Sequence, residues 1–394
     1  MKIAIINSLY YPYKFGGAEV SVQLLAEGFA AQGHSVKVIT LNDNGQINRY
    51  ELNGVSVISY PIKNEYWPFA KKKYSSIKKL KWHLKDYITN PIVHDISAEL
   101  EIYKPDIIHT NNLAGFSIGI WGIARKLCCP LVHTTRDYYL FHPNSTLFKN
   151  GRNMSSDDVF VKFYSWAKKK ASQKIDVMVG ISCYISQLHK LNGFAEKAKH
   201  TYVYNPIEKI PLEKCKHDRV TIGFLGRLTS EKGFDVFVEY ANKYKAEMNF
   251  VAAGQFSSSN ESDKLRTKAI ENNVKLQGYV PVKDFLSSVD VLLLPTKWNE
   301  PFGRAVAEAA VAGVPVYTNL TGGVKEIGEH FSWVQDITEF NSSNIKKILS
   351  CVDTKLIENP FRQDVLSQKY LEIYNEAIYK EKQSKLLMEI KCGK

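Results

Sequence analysis

The chain has 394 residues, 44% of them apolar and 23% charged, values ordinary for a soluble globular protein with room for two or three domains. Its 23 glycines and 14 prolines exclude a low-complexity or collagen-like chain. Six cysteines with no C-x-x-C pair exclude a disulfide framework and a thiolate zinc site, and read as a reduced, cytosolic protein.

The net charge of +12 is unevenly placed. Residues 1–200 hold 26 Lys/Arg against 15 Asp/Glu, an excess of +11, and the rest of the chain carries +1. A basic first half suits an anionic partner, either nucleic acid or membrane headgroups. The longest apolar run, residues 113–124, stops at Arg125-Lys126 and falls short of the roughly 18–20 residues of a membrane span. The first residues, with one lysine and a four-residue apolar stretch, do not read as a secretory signal.

In chain order, residues 2–8 (KIAIINS) predict a buried parallel strand. A loop with Gly16-Gly17 follows. Residues 18–32 then place apolar side chains at helical spacing, and Gly33 predicts a C-cap. Residues 35–41 predict the next strand, completing a βαβ unit. Strands are expected at 105–109, 130–134 and 175–182, with a helix over 117–127. Residues 204–220, with Pro206, Pro211 and no periodicity, predict a linker. The pattern restarts beyond it, with strands expected at 220–225, 249–253, 274–277, 289–294 and 314–318. A polar helix is expected over 363–391. The fold class is therefore α/β. Two doubly wound, Rossmann-like domains, 1–204 and 205–362, are expected to face a ligand-binding cleft, with 363–391 packing back on the first.

Chemistry concentrates at two places in the second half. In EPFGRAVAE (300–308), Glu300 follows a strand and Phe302-Gly303 open a helix. Backbone N–H groups at that helix start suit an anion such as a diphosphate. Glu300 and Glu308 could accept hydrogen bonds from hydroxyls. In GRLTSEKG (226–233), Arg227 and Lys232 bracket a turn after the domain's first strand, where both cations could meet one phosphate cluster. Gly16-Gly17 could present N–H groups to the same anion. Taken singly, the glycine pair reads more readily as an ordinary turn, and the two glutamates as a first-turn acid and a solvent-facing one. No G-x-G-x-x-G follows either first strand, which disfavours a dinucleotide dehydrogenase. No D-x-D triplet offers a carboxylate clamp for a metal-diphosphate, so protein cations would have to neutralise a leaving phosphate.

Taken together and in this order, these elements resemble a group 1, family 4 retaining glycosyltransferase of GT-B fold, over nearly the whole chain. The E-x7-E element matches Glu300 and Glu308, the phosphate pair Arg227 and Lys232, and the N-terminal loop Gly16-Gly17. The downstream GG segment matches Gly322-Gly323 with Glu326, and the domain-joining asparagine matches Asn205. The resemblance implies that Arg227 and Lys232 neutralise a leaving nucleoside diphosphate, and that Glu300 holds the donor sugar with N–H groups near Phe302 and Gly303. It implies that Glu308 binds ribose hydroxyls and that the backbone of Gly278 to Val280 meets the base. Same-face attack would then need no protein nucleophile and no metal; the nucleotide-sugar is a substrate, and no cofactor is expected. Many relatives carry a histidine where this chain has Arg136, in HTTRDYY. His109, followed by Asn111 and Asn112, is a second candidate on the acceptor or sugar side, with a satisfied structural histidine as the alternative.

Residues 62–85 hold eight lysines and one acid, Glu65, interleaved with aromatics. On a helix, Tyr74, Ile77, Leu84 and Ile88 would pack on the domain, while Lys71, Lys78, Lys85 and Trp82 would face anionic headgroups. No zinc finger or base-stacking motif supports nucleic acid. The expectation is a peripheral enzyme on the inner face of the cytoplasmic membrane. It would transfer sugar to a lipid-linked or glycan acceptor in bacterial surface polysaccharide or glycolipid synthesis. A GT-B-fold epimerase or phosphorylase, and a non-catalytic nucleotide-sugar or membrane-binding module, are the alternatives.

Overall fold

Each half of the chain alternates isoleucine- and valine-rich strands with amphipathic helices, and each closes its own parallel sheet. The computed structural model describes residues 1–13, 16–70, 74–88, 90–215, 217–257, 260–352 and 357–392. The strands of the first half are β1 (Lys2–Ile6), β2 (Ser35–Asn42), β3 (Asn48–Leu52), β4 (Val55–Pro61), β5 (Ile107–Thr110), β6 (Leu131–Thr135), β7 (Phe148–Lys149), β8 (Arg152–Asn153), β9 (Val177–Gly180) and β10 (Lys199–Tyr202). Those of the second are β11 (Thr221–Leu225), β12 (Asn249–Ala253), β13 (Val274–Gly278), β14 (Val291–Leu294), β15 (Val316–Thr318) and β16 (Val334–Asp336).

The chain divides into two packing units. One comprises Met1–Ser145, Ser155–Pro206 and Gln363–Lys394; the other comprises Thr146–Met154 and Ile207–Arg362. The first unit holds an eight-stranded sheet of order β10-β9-β6-β5-β1-β2-β4-β3. Its strands are parallel except β3, which runs antiparallel to β4. The second unit holds a six-stranded parallel sheet of order β13-β12-β11-β14-β15-β16. Strand order reverses between β1 and β5 in the first sheet and between β11 and β14 in the second. Doubly wound sheets bind ligands outside the carboxyl ends of the strands at such points.

The C-terminal helix, Gln363–Cys392, belongs to the first unit. Tyr370 and Tyr374 are buried there, with ring centroids 6.4 and 5.4 Å from that of Phe29. His109 is fully buried beneath this helix. Its Nδ1 lies 2.6 Å from the Tyr374 hydroxyl and its Nε2 2.7 Å from Thr134 Oγ1, which in turn lies 3.0 Å from the Tyr370 hydroxyl. Both ring nitrogens are engaged. His109 is a structural tie between β5 and the C-terminal helix, which corrects its placement on the acceptor or sugar side and fits the alternative of a satisfied structural histidine.

The basic helix Ser76–Ile88 forms where expected, with Lys78 exposed, but Trp82 and the aliphatic residues exchange sides. Trp82 is 3% exposed and Ile77, Leu80 and Leu84 are 71%, 57% and 50% exposed. The indole N–H of Trp82 donates to the Tyr66 carbonyl at 3.1 Å. Four residues on, the buried Asp86 accepts from the Gly115 N–H at 2.8 Å and the Tyr139 hydroxyl at 2.5 Å. A buried carboxylate must have such partners, and Asp86 shares its helix face with Trp82. Those partners turn the 82/86 face inward and leave the aliphatic stripe outside. Trp82 is therefore not an interfacial anchor; Lys71 lies outside the described residues.

Tyr374→Phe removes one His109 partner and is expected to cost about 1–3 kcal/mol by urea unfolding. Burial holds His109 well below the ordinary histidine value, and puts His133 at about 3 and His83 and His189 at about 4. The unfolded chain then binds protons below pH ~6.5 that the folded chain does not. The stability contributed by these histidines is complete above that pH and is lost as pH falls toward the folded values. Asp86 and Asp137, both raised by burial to about 6, work in the opposite sense but are outnumbered. The melting temperature is expected to fall between about pH 7 and pH 5; scanning calorimetry across that range checks it.

Candidate active site

In the second unit, the loops after β11 and β14 flank the point where strand order reverses. β11 ends at Leu225, and the chain passes through Gly226 and Arg227 into a short 3-10 turn, Ser230–Lys232. Gly233 ends that turn with φ +78°, and the helix Phe234–Tyr244 follows. A Cβ on Gly233 would lie 1.8 Å from the Pro295 carbonyl oxygen, so no other residue allows the two loops this approach. The Lys297 N–H donates to the Glu231 carbonyl at 3.0 Å, joining the loops again.

These constraints bring Lys232 to Glu300. The ammonium sits 2.8 Å from Glu300 Oε1, with both side chains mostly buried, and 5.0 Å from the centroid of the Trp298 ring. Glu300 is held from behind by the glycine pair. The Gly323 N–H donates to the Glu300 carbonyl at 2.8 Å. A Cβ at Gly322 would lie 2.5 Å from that same oxygen, and one at Gly323 would lie 2.3 Å from the Pro301 oxygen. Gly303, with φ +94°, starts the helix Arg304–Val311, and Phe302 beside it packs edge-on to Phe361. Glu308 is largely buried one turn into this helix and pairs with Arg304 Nε at 2.8 Å. Burial raises its pKa, and the Arg304 charge and hydrogen bond oppose the rise. Arg227 is more than half exposed and pairs with Glu231 at 3.4 Å rather than with Glu300. Gly278, with φ +71°, ends β13, and its carbonyl accepts from the Gly254 N–H at 2.7 Å, which places Gly278 to Val280 at the same sheet edge. The arrangement offers a lysine, a carboxylate and a helix N-terminus beside one another, a set able to hold a diphosphate next to a hydroxyl-bearing group.

The remaining candidates lie in the first unit. Arg136, buried after β6, donates from Nε to Asn111 Oδ1 at 2.8 Å and from Nη1 to Asn205 Oδ1 at 2.7 Å. Asn111, Arg136 and Asp137 line a small cleft in this unit with Asn112 and Tyr139. Asn205 thus belongs to the first unit, bonded to Arg136. Gly16 donates its N–H to the buried Glu19 carboxylate in the first turn of the helix Ala18–Ala31, and Gly17 is the N-cap. An internal carboxylate therefore occupies the Gly16 amide, where a ligand anion was anticipated.

The family described as Glycosyl transferases group 1 matches residues 208–362, and Glycosyltransferase Family 4 matches residues 15–209. The chain belongs to the group 1 glycosyltransferases. An uncharacterised 42.6 kDa protein in the cps region of Klebsiella pneumoniae is 40% identical over 378 residues, 95% of this chain and 100% of that protein. The capsular polysaccharide biosynthesis glycosyltransferase CapM of Staphylococcus aureus is 23% identical over 181 residues, 41% of this chain and 47% of CapM. Among solved structures, Anabaena HepE, crystallised with UDP and glucose, superposes with a TM-score of 0.68 at 15% identity over 95% of this chain and 100% of HepE. That likeness assigns the glycosyltransferase its GT-B fold.

Several residues at the candidate site escaped sequence reasoning. Arg304 neutralises Glu308, and its i,i+4 spacing was a readable signal. Trp298 faces Lys232, which neighbouring sequence does not reveal. Asn153 lies in the second unit by packing although 146–154 falls inside the first half of the chain. Its Nδ2 donates to the Lys297 carbonyl at 3.0 Å and its Oδ1 accepts from the Asn299 N–H at 3.0 Å, clamping the loop that carries Glu300.

Gly233→Ala is expected to destabilise by at least about 1–2 kcal/mol, since the positive φ alone costs that much. The clash with Pro295 would also separate Lys232 from Glu300. Urea unfolding measures the loss, and a neutral substitution would show that the loop packing is not required.

Proposed function

We propose that this glycosyltransferase moves a sugar, with retention of anomeric configuration and without a metal, from a nucleotide-sugar to a lipid-linked glycan acceptor in surface polysaccharide synthesis. The observation that carries the reading is the Lys232–Glu300 pair beside the start of the helix Arg304–Val311, where the second sheet reverses its strand order. Lys232 and the nearby Arg227 take the charge that develops on the departing diphosphate, the protein's main contribution to the rate. An incoming diphosphate competes with Glu300 for the Lys232 ammonium. Glu300 is then released to accept hydrogen bonds from the donor sugar, while N–H groups near Phe302 and Gly303 support the phosphate end. Glu308, paired with Arg304, accepts from ribose hydroxyls. The backbone of Gly278 to Val280 takes the base. The acceptor oxygen attacks the face from which the diphosphate leaves, and a donor phosphate oxygen takes its proton.

The family membership supports the transferase class, and the relatives from cps regions and capsule synthesis support the polysaccharide assignment. HepE, crystallised with UDP and glucose, supports a nucleotide-sugar donor. On the first unit, Arg136 with Asn111 and Asn205 is assigned to the sugar or acceptor side. The basic first half supports a peripheral position on the inner face of the cytoplasmic membrane, where a lipid-linked acceptor is displayed.

A thermal-shift screen of UDP-, GDP- and dTDP-sugars with metal chelated tests the donor assignment. A ligand at 100 times its Kd stabilises by about 2.7 kcal/mol, enough to read directly. One nucleotide class is expected to shift the wild type, and Lys232→Ala is expected to lose most of that shift and slow turnover by roughly 100-fold or more. No shift with any nucleotide would overturn the reading.

A further inference from the structure

The helix Val159–Ser172 presents an unusual outer surface. Val159, Phe160, Phe163 and Trp166 are 78%, 69%, 75% and 67% exposed. They follow the three- and four-residue spacing of one helix face. The opposite face, Val161, Ser165, Lys168 and Ser172, is buried. Four large apolar side chains on one exposed stripe exceed the scattered exposure that a soluble surface ordinarily shows.

This helix adjoins the basic helix Ser76–Ile88. The Tyr87 hydroxyl donates to the Tyr164 carbonyl at 2.6 Å, and the Lys168 ammonium lies 5.0 Å from the Tyr87 ring centroid. The neighbouring helix carries its own exposed aliphatic stripe, Ile77, Leu80 and Leu84. Between them the two helices hold eight lysines and one acid, Asp86, which is buried. Of the lysines, Lys78, Lys79, Lys81, Lys162 and Lys170 are exposed beside the apolar side chains. Asp157 and Asp158 lie at the start of the second helix, where Asp157 pairs with Lys162 and Asp158 caps the helix. Apolar and aromatic side chains ringed by lysines are the composition of a surface that lies in the headgroup region of an anionic bilayer. A protein partner would ordinarily meet a surface depleted of lysine.

We propose that these two helices form a bilayer-docking face, with Phe160, Phe163 and Trp166 entering the headgroup–acyl boundary and the surrounding lysines pairing with anionic headgroups. This rests on the membrane-peripheral reading above and moves the anchor from Trp82 to the outer faces of both helices. The charges set the approach and the salt dependence, and the aromatic side chains set the residence on the surface.

The test is sedimentation of the full chain with phosphatidylglycerol vesicles and with phosphatidylcholine vesicles. Wild type is expected to pellet with the anionic vesicles and far less with the neutral ones. The combined variant Phe160→Ser, Phe163→Ser, Trp166→Ser is expected to bind at least tenfold more weakly, with an unchanged nucleotide thermal shift showing that it folds. Lys78→Ala with Lys79→Ala and Lys81→Ala is expected to weaken binding mainly at low salt. If the aromatic variant pellets like wild type, this face is overturned and the membrane reading stands. If wild type pellets with neither vesicle, both fall, while the nucleotide shift judges the transferase reading separately. If wild type is a dimer that the aromatic variant dissolves, and binds no vesicle, a second copy covers the face and the proposal is overturned.

Discussion

Lys232 meets Glu300 because glycines allow the loops around them to approach more closely than any side chain would permit. Gly233 lies against Pro295, and Gly322 and Gly323 lie against the backbone of residues 299–302. The ion pair itself adds little stability, since each mostly buried charge gives up hydration that the partner only partly returns. Its cost is carried by the packing around it. An apolar pair at these positions would serve stability as well. The carboxylate holds the mostly buried ammonium in place, and on the proposed reading a diphosphate would replace it.

In the first unit too, buried charges are met by fixed polar partners. Glu99, held at about 2 mainly by its hydrogen bond to Arg49, also takes the Lys37 ammonium at 2.6 Å. Gly16 is occupied by Glu19, and Arg136 by two asparagines. His109 spends both nitrogens fastening the C-terminal helix. A residue type suited to catalysis is often recruited to hold a buried interface, because the same hydrogen-bonding capacity serves both ends.

What was legible in the sequence was whatever local pattern decides. Parallel strands buried on both faces read as apolar runs, and β12 and β13 begin where the periodicity put them. The E-x7-E spacing and the G-R-x4-K loop were readable because each lies within one loop and helix. The β3–β4 hairpin was missed although Asn53 and Gly54 turn it with φ +49° and +78°, a strong two-residue signal. Its edge strand NRYEL has no apolar run to draw attention. The face of the basic helix was misjudged for a different reason. Trp82 and Asp86 are buried by partners at Tyr66, Gly115 and Tyr139, remote in sequence, and no periodicity within the helix encodes them. Asn153 was invisible on the same ground, since its partners lie well over a hundred residues away.

The helix Val159–Ser172 shows how one element serves two solvents. Its inner face places Lys168, almost wholly buried, over the Tyr139 ring at 3.8 Å. Burial lowers the pKa of that lysine to about 7, with Asp86 and Asp137 opposing the fall. An interior lysine is tolerable only where carboxylates and aromatic faces surround it, and those groups come from the loop after β6 and from the basic helix. The helix is therefore fixed rigidly from beneath. Rigidity matters for the outer face, because aromatic side chains held on a fixed scaffold lose little conformational freedom when they enter an interface. The excess positive charge of residues 1–200 thus divides by position. Lys37 and Lys168 are consumed inside the protein, and the lysines flanking the exposed aromatic stripe are left to act outside it.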